Sequence, residues 1–139
     1  MPAISVWLLR LSLVALLTGA ALGAWLLGAE PWPSEWLPRL RAAHVYLMLF
    51  GWLLPFVLAT AFWMLPRHAQ GASRGSPGLG IAGTGLLSAG TLIGLTGSLA
   101  EVPLLWRGGL ACTVLGALTF LRLLWPRVRA FGAQPTADG

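Results

Sequence analysis

Lysine is missing altogether, cysteine occurs once and histidine twice. The 139-residue chain holds only four acidic side chains: Glu30, Glu35, Glu101 and Asp138. With Cys112 alone, neither an intrachain disulfide nor a paired-cysteine metal site can form. The residue reads as a small side chain in a helix core. Charged residues make up 9% of the chain, against about 25% in soluble domains, so a surface facing water on every side cannot be built. All nine basic residues are arginine, and the net charge is +5. They are scattered between apolar runs instead of being gathered on one face, which excludes a nucleic-acid footprint. No acid, base and nucleophile set converges anywhere, which argues against a catalytic enzyme.

What the chain does have is apolar length, with 57% hydrophobic residues and a mean hydropathy of +0.78. Four stretches, at about 11–27, 43–65, 79–99 and 110–125, approach the about 20 residues that one helix needs to cross the hydrocarbon core. Between them lie a proline-rich segment "EPWPSEWLPRLR", a Gly/Ser/Pro loop "PRHAQGASRGSPG" and a short "EVPLLWRG" hairpin. The expected fold is all-α, an integral membrane four-helix bundle over residues 1–131, with a disordered polar tail at 132–139. A cleaved signal ending near "LLGA" would need a basic start. The segment before Arg10 is apolar, so the first span is expected to be retained.

Four spans put the N-terminus, the middle loop and the tail on one side, with Arg10, Arg67, Arg74, Arg122, Arg127 and Arg129. Arg39, Arg41 and Arg107 fall on the other, beside Glu30, Glu35 and Glu101. The arginine excess predicts both termini in the cytoplasm. Trp32, Trp36, Trp106 and Trp125 fall at expected interfaces, where indole rings settle.

Lipid tails are as apolar as leucine, so membrane helices associate through close packing of small residues. Gly83, Gly90 and Gly97 recur every seven residues, Gly90 and Gly94 make a GxxxG, and Gly19 and Gly23 repeat that spacing. These are expected contact faces, within the chain or in a homodimer or larger complex. The "GLGIAG" at residues 78–83 fits a dinucleotide-binding pattern only by coincidence, since no strand precedes it. Pro55, midway along the second span, should leave the Gly51 carbonyl without its backbone donor and kink the helix.

Ionisable side chains in a bilayer are costly and often functional. His44 and His68 are the only imidazoles. Twenty-four residues apart, they would stand roughly 36 Å apart on one helix, too far to share a site. His68 falls in the loop and reads as solvated. His44 is expected to open the second helix, with Arg39 and Arg41 just before it. Gly51, two turns on, should leave a trough without a side chain. A histidine anchored by headgroups or a backbone carbonyl would look the same. Such a trough also suits a macrocycle, and paired arginines suit its carboxylates.

The segment "RLRAAHVYLMLFGWLLPFVLATAFWMLPR", from Arg39 to Arg67, resembles the second helix of subunit I in C-family heme-copper oxidases and related nitric oxide reductases. The matching positions are Arg39-Leu40-Arg41, His44, Phe50-Gly51, Ala59-Thr60, Phe62-Trp63 and Arg67. The resemblance covers about 29 of the 139 residues. It implies that His44 is an axial ligand to a low-spin heme b iron, with Arg39 and Arg41 near the propionates and Gly51 beneath the ring. It also implies a multi-pass protein of a bacterial inner membrane. The third and fourth helices lack the histidines that complete the family's sites. The resemblance therefore implies electron transfer or gas sensing, not oxygen or nitric oxide reduction. The alternative is a non-catalytic subunit or assembly factor of a respiratory membrane complex, docked through its glycine faces. Within one chain no sixth ligand is evident. A second copy of His44 across a two-fold axis is one source.

Overall fold

The computed structural model describes residues 1–28, 35–65 and 75–128, and all their regular structure is helical. Helix α1 spans Ala3–Gly28. The second span runs through α2 (Trp36–Tyr46), a π-helical segment (Leu47–Leu53) and α3 (Leu54–Met64) without a break. Helix α4 (Pro77–Ala100) and helix α5 (Pro103–Leu124) follow, the last ending in one 3₁₀ turn at Trp125–Arg127. These make four continuous helices of 24 to 29 residues, each long and apolar enough to cross a membrane. His68, Arg67, Arg74, Glu30, Trp32, Arg129 and the 132–139 tail lie outside the described residues.

The four spans stand where the apolar runs place them, but each extends beyond its expected start. Helix α1 begins eight residues before Leu11, so Arg10 is an exposed residue within it. Helix α2 begins at Trp36, so Arg39 and Arg41 are helical and His44 lies more than two turns inside, instead of opening the helix. The "EVPLLWRG" stretch is almost all helix: only Glu101 and Val102 join α4 to α5. Polar and proline residues are tolerated in first turns, where N–H groups are unpaired in any case, and hydropathy alone trims those turns away. Glu101 ends α4 in the left-handed region, at φ 53°. The Val102 amide reaches back to the Gly97 carbonyl at 3.1 Å, a six-residue closure usually built on glycine.

Helices α4 and α5 form the tightest pair, and glycine is the reason. A Cβ on Gly90 would stand 2.5 Å from Thr113 Oγ1 and 2.9 Å from the Gly109 carbonyl oxygen. One on Gly116 would stand 3.0 Å from the Leu87 amide, and the Gly97 and Gly109 positions abut the backbone of Trp106 and Gly94. The helices touch backbone to backbone, as small-residue packing in lipid requires. The seven-residue glycine repeat is therefore consumed inside the chain.

The second span is the hub, packing α1 along its length on one side and the α4–α5 hairpin on the other. On α1 the buried stripe is Ser5, Leu8, Ser12, Ala15 and Gly19, spaced three and four apart and made mainly of small residues. At the end carrying the N-terminus of α1, Leu8, Ala59, Phe62, Leu87 and Phe120 form the apolar core. Phe62 and Phe120 meet edge to face at 6.0 Å.

Pro55 stands where π geometry gives way to α geometry, which changes the carbonyl it faces from the expected Gly51. In the π register the Leu54 amide bonds to Leu49, five residues back. The carbonyl left facing Pro55, which has no N–H, is therefore Phe50's. Thr91 Oγ1, on α4, lies 3.2 Å from that oxygen and 2.9 Å from its own helix's Leu87 carbonyl, so one hydroxyl proton serves both. Local π geometry and a neighbouring threonine are how a membrane helix absorbs proline.

Candidate functional site

His44 does not face outward alone. Its Nδ1 lies 2.8 Å from the Gly19 carbonyl oxygen on α1. A carbonyl only accepts, so Nδ1 carries the proton, and in the neutral ring the lone pair stays on Nε2. The ring is pressed onto Gly23. A Cβ there would lie 2.6 Å from His44 Cε1 and 3.0 Å from Nδ1. Met48, one turn further along, seats its sulfur over Gly19, 2.8 Å from where a Cβ would stand. The GxxxG of α1 is thus a bed for two side chains of the second span, and no other residue type at Gly23 leaves the imidazole in place.

His44 and Arg41 line one open depression of about 420 Å³ over Ala20, Gly23 and Ala24 of α1. Arg39 and Gly51 do not join them. Arg39 Nε lies 2.8 Å from Glu101 Oε1, and its guanidinium lies over the Trp36 ring at 5.2 Å. That contact ties α2 to the α4–α5 turn, so Arg39 is committed to holding helices together. Gly51 is buried in another groove. A Cβ on it would lie 3.0 Å from Ala15 Cβ and 3.1 Å from Thr91 Cγ2. The space expected beneath the imidazole at Gly51 is filled by α1 and α4. The wider π turns begin at Leu47, between the two residues, and break the α-helical register that would have aligned them.

Two residues that the sequence reading passed over hold the bundle. Tyr46, 3% exposed, lays its phenol over Gly94 and donates to the Gly90 carbonyl at 3.1 Å. The GxxxG of α4 is therefore the seat of a tyrosine. Arg127, counted above only as a charge that orients the chain, is 1% exposed. Its Nη2 donates to the Phe62 and Leu65 carbonyls at 2.9 and 2.6 Å, and its guanidinium lies 5.1 Å from the Phe62 ring. These are terminal carbonyls of α3, which have no intrahelical donor. Nothing in the sequence marked this arginine, since Arg39 and Arg67 follow a proline in the same way.

Among the described residues no group of three or more His, Cys, Asp or Glu is placed to hold a bare metal ion. The fold and its site define a four-helix bundle of membrane-crossing length with one imidazole, oriented by a backbone carbonyl, near the rim of its second span. No family model, curated protein or solved structure matches the chain.

Proposed function

We propose that the chain is a multi-pass protein of a bacterial inner membrane, both termini cytoplasmic, that binds heme b through His44 for electron transfer or gas sensing. The observation that supports this reading is the open depression beside His44 and Arg41, because the His44 Nδ1–Gly19 carbonyl bond of 2.8 Å also fits a histidine that serves only to tie α2 to α1. Metal-ligating histidines are fixed this way, with one ring nitrogen donating to a carbonyl and the other left to the metal. The donor set fits a heme, which needs one imidazole on a face, better than a bare ion, which needs three or four ligands.

In this reading Nε2 of His44 would hold the heme, beside the depression that Ala20 and Ala24 line on α1, while Gly23 is covered by the imidazole itself. Arg41 is the cation for a propionate. Bound heme supplies one-electron chemistry, or an open iron position for a small gas. The chain's own contribution is to orient the imidazole, clear the space and neutralise carboxylate charge. No second imidazole stands within reach among the described residues, and Met48 occupies the same helix face as His44. A further residue to hold the heme would come from another molecule, either a second copy of the chain in a two-fold pair or a subunit of a larger respiratory complex.

The test is the absorption spectrum of detergent-purified protein, oxidised and then dithionite-reduced. A Soret band is expected, lost in His44→Ala and in Gly23→Val, which displaces the ring without touching the ligand. A colourless preparation from heme-sufficient cells ends the heme reading. Recovery of the protein in the aqueous fraction after lysis ends the membrane reading as well.

A further inference from the structure

A second concavity lies apart from His44. Helices α1 and α4 barely touch, and between them a groove of about 240 Å³ runs over the middle of the second span. Its floor is the buried Leu8, Ala15, Leu47 and Leu87; its rims are Leu11 and Val14 on α1 and Leu92 on α4, exposed by 42%, 62% and 66%. The hydroxyls on its walls are already engaged. Thr18 bonds to the Val14 and Ala15 carbonyls, Ser88 to Thr84, and Thr91 to Phe50 and Leu87. The groove therefore presents hydrocarbon with no free donor, and an apolar cavity of this kind stays dry.

Its dimensions select the occupant. An engineered cavity of about 150 Å³ takes one benzene, so this one takes a longer slender apolar group. A helix, about 10 Å across, is too thick for it. From Leu8 to Thr18 the groove follows α1 for about 15 Å, half of the roughly 30 Å hydrocarbon core and so the reach of one leaflet. Arg10, exposed in α1, does not line the groove but precedes its rim residue Val14 by one helical turn, on the same side of the helix. The two described carboxylates, Glu35 and Glu101, belong to the opposite end of the bundle, and Glu101 is paired with Arg39. Arg10 has no acidic partner among the described residues. A cation without a counter-ion in a membrane helix snorkels to headgroup depth.

We infer that the α1–α4 groove binds one anionic phospholipid from the leaflet on the N-terminal side, its acyl chain in the groove and its phosphate at Arg10. This rests on the membrane reading and is independent of heme. The test titrates the full chain, delipidated in detergent, with dioleoyl phosphatidylglycerol or dioleoyl phosphatidylcholine and counts bound lipids by native mass spectrometry. The expected result is one phosphatidylglycerol per chain, held more tightly than phosphatidylcholine. Arg10→Gln should weaken it about fivefold, the size of one arginine–headgroup attraction. Ser88→Phe fills the groove and should abolish retention of both lipids. Val14→Phe, at an exposed rim position, narrows the same groove with the core untouched and decides the matter if Ser88→Phe fails to fold. Equal retention of the two lipids by the wild-type chain and Arg10→Gln overturns the inference. So does undiminished binding by Val14→Phe, or a chain dimer that either groove substitution dissociates, which would give the groove to a second copy.

Discussion

Arg127 shows how much one side chain can carry in this chain. Two bonds from a buried guanidinium to the terminal carbonyls of α3 replace donors that neither the helix nor hydrocarbon supplies. Hydrogen bonds to charged groups are worth about 2 kcal/mol each. Arg127→Ala is thus expected to lower stability by about 2 kcal/mol or more, read from unfolding in mixed micelles with rising dodecyl sulfate. Lys carries one compact ammonium in place of a planar fork, so Arg127→Lys should recover only part of that loss. Tyr46→Phe removes the neutral bond to the Gly90 carbonyl together with the hydroxyl's interaction with Thr113. It should cost about 0.6 kcal/mol, the usual size for such bonds between membrane helices. Gly23 lies at the same scale of cause: its missing Cβ is what admits the His44 ring.

At the scale of elements, the α4–α5 hairpin depends on glycines that differ in what they meet. Gly109→Leu drives a side chain into the α4 backbone, which cannot move aside as a flexible side chain can. Its cost should reach about 3 kcal/mol or more. Gly85→Ala and Gly108→Ala meet open space. They should leave stability unchanged or raise it by up to about 1 kcal/mol, the helix-propensity difference. The same micelle titration separates the two outcomes. The π segment makes a second prediction. Thr91→Val should cost about 0.6 kcal/mol in the wild-type chain, because it strips the donor from the Phe50 carbonyl. In a Pro55→Ala background residue 55 regains an amide that can serve this oxygen. The Thr91→Val loss should then shrink, and a double-mutant cycle measures the difference. Element existence was legible here from apolar length, and the glycine spacing marked the contact faces. Which helix filled each face was not legible, because Gly90 and Gly94 look the same whether they receive a helix, a tyrosine or a second molecule.

For the whole molecule, the second span packs between α1 and the α4–α5 hairpin. The two helices that do not pack closely, α1 and α4, leave the lateral groove. Stability should therefore be uneven. The end built from Leu8, Phe62, Phe120 and Arg127 has an apolar core and a buried cap. The His44 end lacks that apolar core and is held by the imidazole–Gly19 bond, the Arg39–Glu101 pair and Tyr46 seated over Gly94. Hydrogen exchange in detergent should find the α2 amides opening before those of α3. Glu101→Gln should accelerate exchange in the first turns of α2 while leaving α3 unchanged. The candidate site thus lies at the end of the bundle away from the apolar core, where a bound ligand would add to stability.

The sequence by itself determined the helical class and the four apolar spans, because these follow from local hydropathy, and it singled out His44 only as an imidazole within one of them. Arg39, Arg41, His44 and Gly51 were legible as a cluster along one helix, but only the tertiary structure divided them. It sent Arg39 to Glu101 and Gly51 to Ala15 and Thr91, and left His44 with Arg41 over α1. The physical reason is that spacing along one helix fixes which residues share its face only while the α register holds. The π turns after Tyr46 changed that register. What each face then meets is set by neighbouring helices, through close-packed small residues whose pairing no single stretch of chain encodes.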